Sequence, residues 1–239
     1  MVMTYLNFAT LEAISAQSFQ EAKPYPWMNP PDLLTEAGYQ GLVETLPNVS
    51  MFQKRFGVKR AHGQQSHDRY TLEYGPGLPL SPHWNQFLAE LQGKPYSNFL
   101  KRLFGVKSLE LNFHWHYTPN GCSVSPHCDA KHKLGSHIFY FNTKEDWDPA
   151  WGGETVILDD QGRFSRKSAP SFEDFPQSLA STAIGNFSLI FQRLDKSWHG
   201  VRPVQCPEGH MRKVFIVVIN RLSLADRIQR VFGKSPKGY

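Results

Sequence analysis

Long apolar runs are missing from this 239-residue chain. No stretch approaches the ~20 consecutive apolar residues that a bilayer span requires, so no transmembrane helix is expected. Cysteine is scarce. The three present, Cys122, Cys128 and Cys206, cannot all pair and form no Cys-x-x-Cys, which argues for reduced thiols and a cytoplasmic protein rather than a disulfide framework. A secretory leader is not expected, because residues 1–16 contain Glu12 and lack a basic start followed by an unbroken apolar run. Concentrated positive charge is also absent. The net charge is +5, but its carriers are scattered: Lys54-Arg55, Lys59-Arg60, Arg163 to Lys167, and Arg227, Arg230, Lys234 and Lys237 near the end. A solvated surface explains that distribution better than a nucleic-acid footprint does.

What is present is a turn-rich globular composition. Hydrophobic residues make up 40% and aromatic residues 13%, with 17 prolines. The length suits one domain with embellishments. Residues 1–105 read as helices and connectors packed on a core. Asp32 after Pro30-Pro31 is a candidate helix start, followed by Leu42, Val43 and Leu46 at helical spacing. Ser81-Pro82 opens a second helix, with serine as cap and proline in the first turn, and Tyr96, Phe99, Leu100 and Leu103 stripe a third. Residues 69–74 form a candidate strand before the Gly75-Pro-Gly77 turn.

From Leu109 the period changes to two. Leu109, Leu111, Phe113, Trp115 and Tyr117 alternate with Glu110, Asn112, His114 and His116, as in a strand with one apolar face. Short candidate strands follow at 137–142, 155–158, 187–191 and 212–220, separated by Gly, Pro and Asp-rich connections. Such a series without alternating helices implies an antiparallel double-sheet roll. The core is expected over 106–221, with a terminal helix at Asp226–Phe232 inside a 222–239 tail.

Chemistry concentrates at His127-Cys128-Asp129. Residues two apart on an extended chain project the same way, so an imidazole and a carboxylate converge. If a neighbouring strand brings His199 to them, two histidines and one carboxylate face a metal with coordination positions open, a set that suits Fe(II) in oxygen chemistry. Cys128 faces the other way. His114-x-His116 is a competing metal pair, but if Tyr117 points into the barrel those histidines point out.

Tyr117, His127-x-Asp129, Gly152-Gly153-Glu154, His199-Gly-Val201-Arg-Pro203-Val204, Gly209 and Arg212 occur in that order. Here the chain resembles the 2-oxoglutarate and Fe(II)-dependent dioxygenases, in particular their prolyl 4-hydroxylase-like branch, over roughly residues 109–220. The resemblance implies a mainly β fold with flanking helices: a double-stranded β-helix, or jelly roll, buttressed by N-terminal helices. It implies Fe(II), 2-oxoglutarate and O2, with His127, Asp129 and His199 as metal ligands. Tyr117 would touch the co-substrate, whose far carboxylate needs a fixed cation. Arg212 and Lys213 compete for that role, because alternation turns one of them inward. Arg212 lies thirteen residues after His199 and three after Gly209, further than the family pattern, so an insertion near Pro207-Glu208 is implied.

The implied activity is hydroxylation of an unactivated C–H bond with release of succinate and CO2, on proline in a protein or peptide or on a small amino acid or natural-product substrate. Two alternatives are an oxidative demethylase of nucleic-acid bases on the same scaffold and a non-catalytic roll that binds a metal or a sugar. Trp147, Trp151, Trp198 and Phe164 are candidates for the entrance, and residues 162–176 for a lid. Glu154 reads as structural. The sequence leaves the substrate and the oligomeric state open.

Overall fold

The computed structural model describes residues 3–222; the helix expected at Asp226–Phe232 lies outside them. In chain order the elements are α1 (Phe8–Ala13), α2 (Ala16–Glu21), β1 (Trp27–Met28), α3 (Glu36–Glu44), β2 (Gln53–Arg55), β3 (Arg69–Glu73), α4 (Pro82–Leu91) and α5 (Lys94–Phe104). The roll follows with β4 (Leu109–Pro119), β5 (Val124–His127), β6 (Lys133–Tyr140), β7 (Val156–Asp159), β8 (Gln177–Ala180), β9 (Ser188–Gln192), β10 (Trp198–Val201) and β11 (Met211–Arg221). No helix among the described residues is long and apolar enough to cross a membrane.

Two antiparallel sheets result, one ordered β1-β9-β6-β11-β4-β3-β2 and the other β5-β10-β7-β8. This is the expected double-sheet roll. Three strands of the larger sheet come from residues before 105, so the N-terminal region extends the sheet as well as covering it. Strand pairing over eleven registered positions of β4 and β11 forms the spine of the larger sheet.

Period-two alternation decides which side chains reach the site. On β4 and β11 the odd residues Phe113, Trp115, Tyr117, Phe215, Val217 and Ile219 join the helices in one core. The even residues Val214 and Ile216 turn to the other face, with Ile138, Tyr140, Leu189, Phe191 and Ile157 of the smaller sheet. Helix α4 is amphipathic: Trp84, Phe87, Leu88 and Leu91 are buried, and Trp84 meets Trp115, Phe141 and Phe215 at 5.1–5.2 Å between ring centroids. Ser81 caps it by accepting from the Trp84 amide at 3.2 Å, and Pro82 occupies its first turn, as expected. The helix expected from Asp32 instead starts at Glu36, because Asp32 adopts φ 56°, outside helical space. Thr35 supplies the cap, accepting from the Gly38 amide at 3.1 Å.

Candidate active site

Strand β10 pairs with β5 so that His199 lies directly opposite His127. Cross-strand partners on one face are neighbours, and the two imidazoles are 4.3 Å apart between centroids. Asp129, two residues past His127, turns to the same side. The ligand atoms of His127, Asp129 and His199 all lie within 4.8 Å of one another, the one such His/Cys/Asp/Glu group among the described residues. All three residues are at most 9% exposed.

Their protonation states suit a cation. His127 Nδ1 lies 2.9 Å from the Ser125 carbonyl and His199 Nδ1 3.0 Å from the Ser197 carbonyl. A carbonyl only accepts, so each Nδ1 carries the hydrogen and each Nε2 keeps its lone pair for a metal. Burial holds both imidazoles below the ordinary histidine range, more strongly at His127, and both are therefore neutral. Burial alone would raise the Asp129 carboxyl, but Lys133, His199 and hydrogen bonds from Lys133 and Ser136 outweigh it and bring it down to about 2. Lys133 Nζ sits 2.9 Å from Asp129 Oδ1. Two neutral imidazoles and one carboxylate, all open to a cavity, are the donor set expected for a non-haem ferrous ion.

The cavity against this triad is about 350 Å³ and includes Thr155, Phe191, Arg212 and Ile216 in its lining. Arg212 is the inward member of its pair. Its Nε donates to the Gly153 carbonyl, its Nη2 donates to Thr155 Oγ1 at 3.1 Å, and its guanidinium lies over the Tyr140 ring at 5.6 Å. The Gly152-Gly153 turn makes this possible: Gly153 has φ +92°, and a Cβ there would come within 3.2 Å of Arg212 Cδ. Lys213 points to the opposite face and pairs with Asp146 Oδ2, outside the cavity.

Tyr117 is not at the site. It is odd-numbered on β4 and therefore faces the helical layer, where its hydroxyl donates to the Pro47 carbonyl at 2.9 Å and its ring stacks on Phe52 at 4.3 Å. With the parity reversed, His114 and His116 turn inward and line the cavities beside the triad, without belonging to the metal-sized group. None of the four aromatics expected at the entrance lines the triad cavity: Trp198 and Phe164 pack with Phe175, and Trp147 and Trp151 pack around Val201 and Val204. The Cys128 thiol does turn away from the three ligands, donating to the Asp195 carbonyl.

Tyr140, Thr155, Lys133 and Ser136 escaped the sequence reading. Tyr140 donates to Thr155 Oγ1 at 3.0 Å, completing a polar wall around Arg212. The expected 137–142 strand already contained Tyr140, and its even parity was the signal available.

Residues 113–220 match the family described as the 2OG-Fe(II) oxygenase superfamily. That segment is a 2OG-Fe(II) oxygenase domain. Enzymes of this family use Fe(II), 2-oxoglutarate and O2, which the buried His-Asp-His group suits. No curated protein matches the chain in sequence. Among solved structures, the chain is similar to a Pseudomonas putida prolyl-4-hydroxylase, at 14% identity and TM-score 0.61 over 87% of this chain and 99% of that one. A Trichoplax adhaerens prolyl hydroxylase, solved with a hypoxia inducible factor peptide fragment, gives 11% identity and TM-score 0.62 over 96% and 94%. SnoK, a carbocyclase of nogalamycin biosynthesis, gives 12% identity and TM-score 0.60 over 95% and 93%. At these identities the likeness establishes a shared jelly-roll fold.

Proposed function

We propose that the chain hydroxylates an unactivated C–H bond in a peptide or small-molecule substrate, converting 2-oxoglutarate and O2 to succinate and CO2. The observation that carries this reading is the convergence of His127, Asp129 and His199 on one cavity that also contains a buried guanidinium. His127 Nε2, His199 Nε2 and the Asp129 carboxylate would hold Fe(II). When bound, the iron supplies O2 activation coupled to oxidation of the keto acid.

The chain's own contributions follow from its side chains. Arg212 remains a fixed cation in a buried position and offers parallel donors to the far carboxylate of 2-oxoglutarate. Tyr140 and Thr155 hold that guanidinium in place and present hydroxyls beside it. The Ser125 and Ser197 carbonyls fix the tautomer of each imidazole, so no proton has to leave Nε2 before metal binding. Phe191 and Ile216 keep part of the wall apolar, limiting the water that reaches the triad.

The test is a hydroxylation assay on anaerobically purified protein given Fe(II), 2-oxoglutarate and O2, with peptides, amino acids and a metabolite extract as substrate pools. Succinate release with a one-oxygen mass gain in some component supports the reading. Fe(II) binding without 2-oxoglutarate turnover in any pool would instead favour the non-catalytic roll.

A further inference from the structure

The larger sheet continues past the triad cavity through β4, β3 and β2, and its inward face changes character there. Over β9, β6 and β11 that face is mainly apolar, with Ser136 and Arg212 as its polar members. Beyond them, alternation and register put His114 and His116 of β4, Arg69 and Thr71 of β3 and Arg55 of β2 on the same side. They line a second cavity of about 620 Å³, to which no strand of the smaller sheet contributes. Arg60, His67, Arg69, His116 and Lys133 belong to both cavities, so the second is an antechamber to the first. His67 lies 4.5 Å from His127 between ring centroids, and Arg60 donates to His67 Nε2. The guanidinium of Arg60 is thus one side chain away from a metal-facing imidazole.

No ion pair among the described residues includes Arg55, Arg60 or Arg69. Arg69 donates through Nη1 to the His67 carbonyl, yet its buried Nε has no partner. Inward guanidinia are costly unless an anion meets them. Burial and the neighbouring Arg60 and Arg55 bring Arg69 down to about 10, so Arg69 is still charged at neutral pH. Only one carboxylate, Glu73, appears in the lining.

We infer that the antechamber binds a small-molecule substrate through an anionic group, a carboxylate or a phosphate, seated on Arg60 and Arg69. This rests on the hydroxylase reading and narrows it. A cavity of this size accommodates a compact organic molecule, with Met51, Leu78 and Val218 as its apolar wall. Arg212, which lines the triad cavity but not the antechamber, is left for the co-substrate, so the two anions would meet different guanidinia.

The test is anaerobic calorimetry on the Fe(II)-loaded full chain, titrated with inorganic phosphate, benzoate and the neutral isostere benzamide, each with and without saturating 2-oxoglutarate. Phosphate or benzoate is expected to bind with 2-oxoglutarate present, and benzamide is not; the tighter of the two anions identifies the chemistry. Arg60→Gln should weaken that binding about tenfold or more, the loss typical of a charge-assisted hydrogen bond, and leave 2-oxoglutarate affinity unchanged. Arg69→Lys should retain part of what Arg69→Gln loses, which separates charge from folding. Absence of anion binding in a chain that binds 2-oxoglutarate overturns this inference alone, as does an equal loss for benzamide. A chain that binds no 2-oxoglutarate overturns the hydroxylase reading, and this inference with it.

Discussion

Backbone carbonyls hold both histidines of the triad with Nε2 facing the cavity, and Lys133 and Ser136 hold Asp129 ionised. Removing either kind of ligand should therefore abolish metal retention before it affects folding. His199→Ala and Asp129→Ala are each expected to lose turnover and bound iron, read by metal analysis of the purified variants. Arg212→Ala should raise the 2-oxoglutarate requirement by about tenfold to a hundredfold, as loss of charge-assisted hydrogen bonds predicts, while Fe(II) binding persists. Tyr117→Phe should leave turnover unchanged and cost about 1 kcal/mol of stability through the lost bond to the Pro47 carbonyl. A large kinetic defect in that variant would return Tyr117 to the site. Spacing alone made His127 and Asp129 legible, because period two carries both to one face. Tyr117 misled because its distance from His127 fits the family pattern, while the side it faces depends on the register of β4 against a helical layer supplied by distant sequence.

Among the elements, α4 and the Gly152-Gly153 turn have separable duties. Phe87 is fully buried between α4 and the larger sheet, touching Phe139 and Phe215; Phe87→Ala should cost about 3–5 kcal/mol in chemical denaturation. Gly153→Ala strains a positive φ and crowds Arg212, so its signature should be weaker 2-oxoglutarate binding with intact iron. On β6, burial lowers His137 to about 3, below its unfolded value near 6.5. The unfolded chain then binds the extra proton, so this residue's penalty is absent above pH 6.5 and grows as pH falls toward 3, by about 1.4 kcal/mol per unit. Unfolding free energies at pH 7 and pH 5 should differ less in His137→Leu than in the native chain. The start of α4 was readable from Ser81-Pro82, a local signal. The false start at Asp32 arose because Pro30-Pro31 suggests a helix entry, whereas Asp32 leaves helical space and hands the cap to Thr35.

For the whole molecule, the expected roll was legible in the succession of short strands punctuated by turns. Its N-terminal extension was not. Nothing local in Gln53–Arg55 or Trp27–Met28 marks a strand, since two or three residues carry no period, and their pairing is set by partners more than a hundred residues away for β1 and by β3 for β2. The antechamber exists because of that extension. A ligand that binds only the folded state stabilises it, so anaerobic Fe(II) should raise the melting temperature of the native chain and a chelator should reverse the rise. His127→Ala should show neither shift.

The opposition of His199 and His127 across β10 and β5 also dictates when iron can be captured during synthesis. The two imidazoles are separated by 72 positions of sequence, so a nascent chain that has emerged only through Asp129 offers two of the three ligands. High-affinity loading must await closure of the smaller sheet, which makes metallation a post-folding event and leaves partly made chains unable to hold a redox-active ion.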